Sequence, residues 1–88
     1  MSGSYCHITI YPNNQWPRFE TGYNPDFVNA IKRLPSYRRQ WEPLGRFWTI
    51  DPSYYDMLMK LAQEVFNTVI VIENGQAREL STKAVRTG

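Results

Sequence analysis

Eighty-eight residues, 42% of them apolar and 15% aromatic, with a formal net charge of +2, make one globular domain. They exclude disorder over most of the chain and a division into several domains. A single cysteine, Cys6, excludes an intramolecular disulfide, and the longest apolar stretch, Val69–Ile72, is far too short to cross a membrane.

In chain order, Tyr5–Tyr11 alternates, with Cys6, Ile8 and Ile10 on one side and Tyr5, His7, Thr9 and Tyr11 on the other, which predicts a strand. Pro12-Asn13-Asn14-Gln15 is turn chemistry, and Arg18–Tyr23 reads as a second strand completing a hairpin. Asn24-Pro25 supplies an N-cap and a first-turn proline for a helix whose apolar stripe is Phe27, Val28, Ile31 and Leu34, stopped by Pro35. Arg38–Glu42 and Arg46–Ile50 are short strands joined by Pro43-Leu44-Gly45. Asp51-Pro52 repeats the cap-then-proline device and opens a helix to about Phe66, with Tyr55, Leu58, Leu61, Ala62 and Val65 as its buried stripe. Tyr54, Met57 and Met59 widen that stripe, as core filling or as an exposed patch for a protein partner. Val69–Ile72 reads as a strand covered on both faces, and the hairpin signal Asn74-Gly75 returns the chain along Ala77–Leu80.

The expected fold is therefore α+β: a ferredoxin-like split β-α-β-β-α-β sheet with an extra N-terminal strand, antiparallel, with both helices on one face and the other face open. One domain is expected over residues 1–80, with 81–88 a flexible tail. Met1–Ser4 shows no basic-then-apolar leader, so the expected location is cytoplasmic, or the host cytosol for a viral chain.

The residues argue against catalysis. His7, the single histidine, neighbours Cys6 on a strand, so the two point to opposite faces and make no nucleophile–base pair. No metal-ligand spacing and no phosphate-binding glycine loop is present, and Asp51 and Asp56 read as a cap and a helix-surface residue. The expectation is no enzyme, no catalytic residue, no metal and no cofactor.

Charge is concentrated. Lys32, Arg33, Arg38, Arg39 and Arg46 stand against Glu42 alone, giving that stretch +4 and the remainder −2. Alternation puts Arg39 with Trp41 on one face, and Arg46, Trp48 and Ile50 on one face; Trp41 and Trp48 are expected as core rings. Arg38, Gln40, Phe47 and Thr49 take the other face, where an exposed ring beside arginines suits single-stranded nucleic acid. Tyr37 reads either as exposed or as packed over the helix end. Gly45–Ile50 also faintly echoes the aromatic strand of RNA-recognition motifs, without the matching half in the first strand.

An aromatic-Asn-Pro helix start at Tyr23-Asn24-Pro25 is followed by Ile31-Lys32-Arg33-Leu34-Pro35, then Arg38-Arg39-Gln40-Trp41-Glu42-Pro43, then Arg46-Phe47-Trp48-Thr49-Ile50. This order resembles the HARP domain of annealing helicases, over residues 17–66 and as a stand-alone copy. The resemblance implies binding of single-stranded or branched DNA through a basic surface, carried by Arg33, Arg38, Arg39 and Arg46.

The functional expectation is a small non-catalytic nucleic-acid-binding module using Lys32, Arg33, Tyr37, Arg38, Arg39, Arg46 and Phe47, with single-stranded or branched DNA as partner and RNA as a further one. The alternative is a small phage-type interaction or inhibitor protein that docks on a larger host enzyme or defence complex and blocks it.

Overall fold

Strict alternation shapes the first hairpin. In a computed structural model describing residues 5–82, β1 (Tyr5–Ile10) buries Cys6 and Ile8 completely and leaves Tyr5, His7 and Thr9 half-exposed between them. Asn13 and Asn14 both take left-handed φ (63° and 61°), which asparagine tolerates, and turn the chain into β2 (Arg18–Thr21). The antiparallel register sets Ile8 opposite Phe19 and Thr9 opposite Arg18.

Helix α1 (Pro25–Lys32) starts where its cap requires: the Asn24 side chain accepts the Phe27 N–H at 3.1 Å, and Pro25 occupies the first turn. After Pro35 a 3₁₀ turn, Ser36–Arg38, leads into β3 (Arg39–Glu42), and β4 (Phe47–Ile50) returns alongside it. The Asp51 side chain accepts the Ser53 N–H at 2.8 Å, capping a 3₁₀ turn at Pro52–Tyr54 that runs into α2 (Tyr55–Val65). β5 (Thr68–Glu73) and β6 (Gln76–Leu80) form the last hairpin, with Asn74 and Gly75 both left-handed (φ 55° and 77°), as a tight two-residue turn needs.

The six strands form one sheet in the order β3-β4-β2-β1-β5-β6. The expected antiparallel sheet is corrected to a mixed one: β1 and β5 run parallel, Cys6 beside Val69 and Ile8 beside Val71. The cause is topological. β4 and β1 are both antiparallel to β2, so they point the same way. The α2 crossover returns β5 in the direction of β4, as a helical connection on one sheet face does. The N-terminal strand is therefore central in the sheet, where its buried face has a neighbour on each side.

Both helices cover one face. Phe27 and Ile31 of α1, Leu58 and Ala62 of α2, and Phe66 close over Cys6, Ile8, Phe19, Ile50, Val69 and Val71. Phe27 meets Phe66 edge-on at 5.2 Å, and the Phe19 ring lies 6.2 Å from Phe27 and 6.3 Å from Tyr55. On the opposite face, among the described residues, no helix lies over Thr9, Arg18, Thr49 and Gln40, which follow one another across the strands.

One further expectation is corrected. Trp41 faces the helix side as expected and packs on Trp48 at 5.1 Å, yet it stays 45% exposed and is no core ring. Its strand is the last in the sheet, with β4 alone beside it among the described residues. In the segment expected as a flexible tail, Ser81 O accepts from Gln63 at 2.9 Å and Thr82 Oγ1 donates to Asn67 O at 3.1 Å; residues 83–88 lie outside the described residues. Among the described residues no helix is long and apolar enough to cross a membrane.

Candidate functional site

The cations expected to act together lie around the β3 edge, but not on one strand face. Lys32 ends α1 and Arg33 is its C-cap, both exposed at the negative end of the helix dipole. Tyr37 and Arg38 belong to the 3₁₀ turn, with Tyr37 73% exposed and the Arg38 guanidinium 5.1 Å from its ring centre. Arg38 is thus not a strand residue beside Phe47. Its Nη1 donates to Asp51 Oδ2 at 2.5 Å, and Asp51 is buried. The Ser53 N–H above all, with Arg38 adding to it, holds the Asp51 carboxyl below its ordinary range.

Arg39 opens β3 on the helix side, where its Nε donates to Leu34 O at 3.2 Å and its guanidinium sits 6.0 Å from the Trp48 ring centre. Arg46 is not part of β4, as alternation suggested. It closes the turn with a left-handed φ of 59°, donating its N–H to Glu42 O at 2.7 Å. The residues between Glu42 and Phe47 make a longer connection than a tight hairpin, and Arg46 takes the conformation that brings the chain back.

Phe47 lies apart from these cations, on the uncovered sheet face. It is half-buried, with the Arg18 guanidinium 4.1 Å above its ring centre. Gly45 also lies so close that an added Cβ there would come within 2.3 Å of the ring. A ring packed against both an arginine and a glycine is not the free stacking platform expected from the sequence.

Arg18 was missed by sequence reasoning because a lone arginine on a strand gives no signal without the register, which sets it opposite Thr49. It lines a groove of about 430 Å³ on the open face, together with Tyr11, Trp16, Gln40, Glu42, Phe47 and Thr49. Its Nη2 also reaches Glu20 Oε1 at 3.3 Å.

No known family model, curated protein or solved structure matches the chain.

What remains is the chemistry of the side chains themselves. Burial pushes the Cys6 thiol up to about 12, so it is held as a neutral thiol beneath the helices. His7, on the other face, packs on Tyr5 at 5.0 Å between ring centres. Among the described residues no group of three or more His, Cys, Asp or Glu side chains is placed to hold a metal ion. The β3 edge, by contrast, combines exposed cations with two exposed rings, Tyr37 and Trp41. Glu42, the acid of this hairpin, projects to the other face, where it accepts from Gln40 at 3.2 Å.

Proposed function

We propose that this chain is a non-catalytic nucleic-acid-binding module that acts in the cytoplasm and holds single-stranded or branched DNA, or RNA, along the β3 edge. One observation carries the reading. Lys32, Arg33 and Arg39 at one end of β3 and Arg46 at the other bracket the exposed rings of Tyr37 and Trp41, with Glu42 turned away and Asp51 already matched by Arg38. Cations held at both ends of a strand suit a phosphate backbone, and the rings between them suit unpaired bases. The HARP-like order of residues 17–66 supports the same reading. The fold is read with it as a ferredoxin-like core, β2-α1-β3-β4-α2-β5, into which β1 is inserted between β2 and β5.

A second reading is docking on a protein. Leu44 at the β3–β4 turn is 99% exposed, and among the described residues β3 has only β4 as a neighbour, so its outer backbone edge is a template for an incoming strand.

Fluorescence anisotropy with a single-stranded oligonucleotide from about 50 to 200 mM salt separates the two. The triple variant Lys32→Glu, Arg33→Glu, Arg46→Glu spares Arg38 and Arg39, which are tied into the fold. It is expected to weaken binding at least tenfold and to flatten the salt slope by about two, at about 0.7 per phosphate contact to a single strand. No saturable binding by the parent near 100 mM salt, or an unchanged slope in the triple variant, would sink the nucleic-acid reading.

A further inference from the structure

The bonds on the inner side of β3 fix what its outer side presents. Asp51 N–H donates to Arg38 O at 2.9 Å and Arg46 N–H to Glu42 O at 2.7 Å, whereas Ile50 N–H turns the other way, to Pro17 O at 3.1 Å. With Arg39 opposite Ile50 and Gln40 opposite Thr49, residues 38, 40 and 42 turn their backbone groups toward β4. Arg39 and Trp41 therefore point theirs outward, where among the described residues no strand lies. Of the five exposed large apolar side chains among the described residues, three, Tyr37, Trp41 and Leu44, sit on this edge or its flanking turns, so the apolar exposure is concentrated here. β6, the other edge, shows Gln76, Arg78 and Glu79 instead, and charges of that kind discourage strand pairing.

Symmetry then selects a register. Two copies joined antiparallel about a two-fold axis through the sheet keep their helix faces on one side, so odd-numbered residues of β3 meet odd-numbered ones. Centred on Arg39, the pairing sets arginine against arginine, and Trp41 meets Tyr37, which lies in a 3₁₀ turn where no ladder continues. Centred on Trp41, it sets Arg39 against Pro43, which has no N–H to give, so a carbonyl of each copy goes without its donor. Centred on Gln40, Arg39 of each copy meets Trp41 of the other, and their outward N–H and C=O groups exchange bonds in both pairs. The same pairs set guanidinium and indole on neighbouring strands with Cβ atoms about 5 Å apart, within cation–π reach. On the axis Gln40 meets Gln40, and each amide both donates and accepts. Glu42 comes beside Arg38 of the second copy, opposite in charge. We propose that the β3 edge seats a second copy of this chain, paired antiparallel about Gln40 into one continuous sheet. This rests on the docking reading above and names its occupant; the ladder is made of backbone groups and takes no bond from the side chains of Lys32, Arg33 or Arg46.

The test is analytical ultracentrifugation of the full chain from micromolar to millimolar concentration, beside amide hydrogen exchange of the ¹⁵N-labelled protein. A monomer–dimer equilibrium is expected that stops at the dimer, because the pairing uses the same edge of both copies. The ladder is short, so the dimer belongs to the weak class. Exchange of the Arg39 and Trp41 amides should slow as concentration rises, while that of Gln40, turned toward Thr49, should not. Gln40 is exposed, so charges placed there leave the fold intact and meet themselves on the axis. Gln40→Glu and Gln40→Lys should each weaken self-association about fivefold, and an equimolar mixture of the two should regain at least the parent's association. That rescue is specific to the Gln40 register. A monomer at every concentration, growth beyond the dimer, or a dimer indifferent to both substitutions overturns the proposal. A monomer whose Arg39 and Trp41 amides exchange freely still has an open edge, so the docking reading survives the loss of the second copy. Slow exchange of both amides in a monomer would mean that the edge is already covered, and that reading fails as well.

Discussion

Phe19→Ala is expected to be among the most damaging single substitutions in this domain, and Trp41→Ala one of the mildest among the aromatic ones. Phe19 is fully buried, lies across the strands from Ile8 and Trp48, and has Phe27 and Tyr55 above it. Removing its ring loses the transfer free energy of that surface and leaves a cavity that two helices and a sheet cannot close, for about 3–5 kcal/mol. An 88-residue domain holds about 4–13 kcal/mol in total, so the variant sits at the margin of folding. Trp41, 45% exposed and packed mainly on Trp48, should cost only about 1–2 kcal/mol. In urea, with an m-value of about 1.5 kcal/mol/M, the midpoint is expected to fall by about 2–3 M for Phe19→Ala and about 1 M for Trp41→Ala. Far-ultraviolet circular dichroism reads both without depending on tryptophan. Equal losses would mean that Trp41 is a core ring after all and that β3 is covered, which would remove the exposed edge from the functional argument.

Acid should expose the Asp51 cap. Its carboxyl titrates lower folded than the ordinary 3.8, so its stabilisation is complete above about pH 4 and disappears as pH falls through the folded value. Asp51→Asn should therefore lower the melting temperature at pH 7 and flatten its fall as the pH drops below about 4; parallel curves for parent and variant would contradict this. Gly75→Ala meets no neighbour but must hold φ 77°, so a loss of about 1–2 kcal/mol is expected in denaturant titration, and no loss would mean the turn rearranges freely. Cys6 should resist a thiol reagent at pH 8 until denaturant is added, and prompt native reaction would contradict its burial.

Much of the fold was legible because local rules acted alone. Asn24-Pro25 and Asp51-Pro52 each marked the place where helical backbone begins, although Asp51 opens a 3₁₀ turn before α2. Alternation assigned Gln40, Phe47 and Thr49 to the open face correctly. Long-range facts were not legible. Nothing within Tyr5–Ile10 says that β5 will lie beside it, since that follows from the path of α2. Trp41 shows the same limit: its face follows from period two, whereas its exposure depends on how far the helices reach. At the site, alternation grouped Phe47 with Arg38 on one face, whereas the register grouped it with Arg18 instead. Arg38 in turn found its partner in Asp51, across the open end of the β3–β4 hairpin.

The parallel pairing of β1 with β5 also governs when this protein can mature during synthesis. Residue 6 waits for residue 69, so β1 leaves the ribosome with one neighbour, β2, and an open second edge. Until α2 and β5 follow, Cys6 and Ile8 lack half of their cover, and the thiol that is shielded in the finished domain is accessible in the nascent chain. Pairings this distant in sequence close late and slowly compared with the hairpins on either side. A stall in translation before β5 has left the ribosome would thus prolong an oxidisable, edge-exposed intermediate.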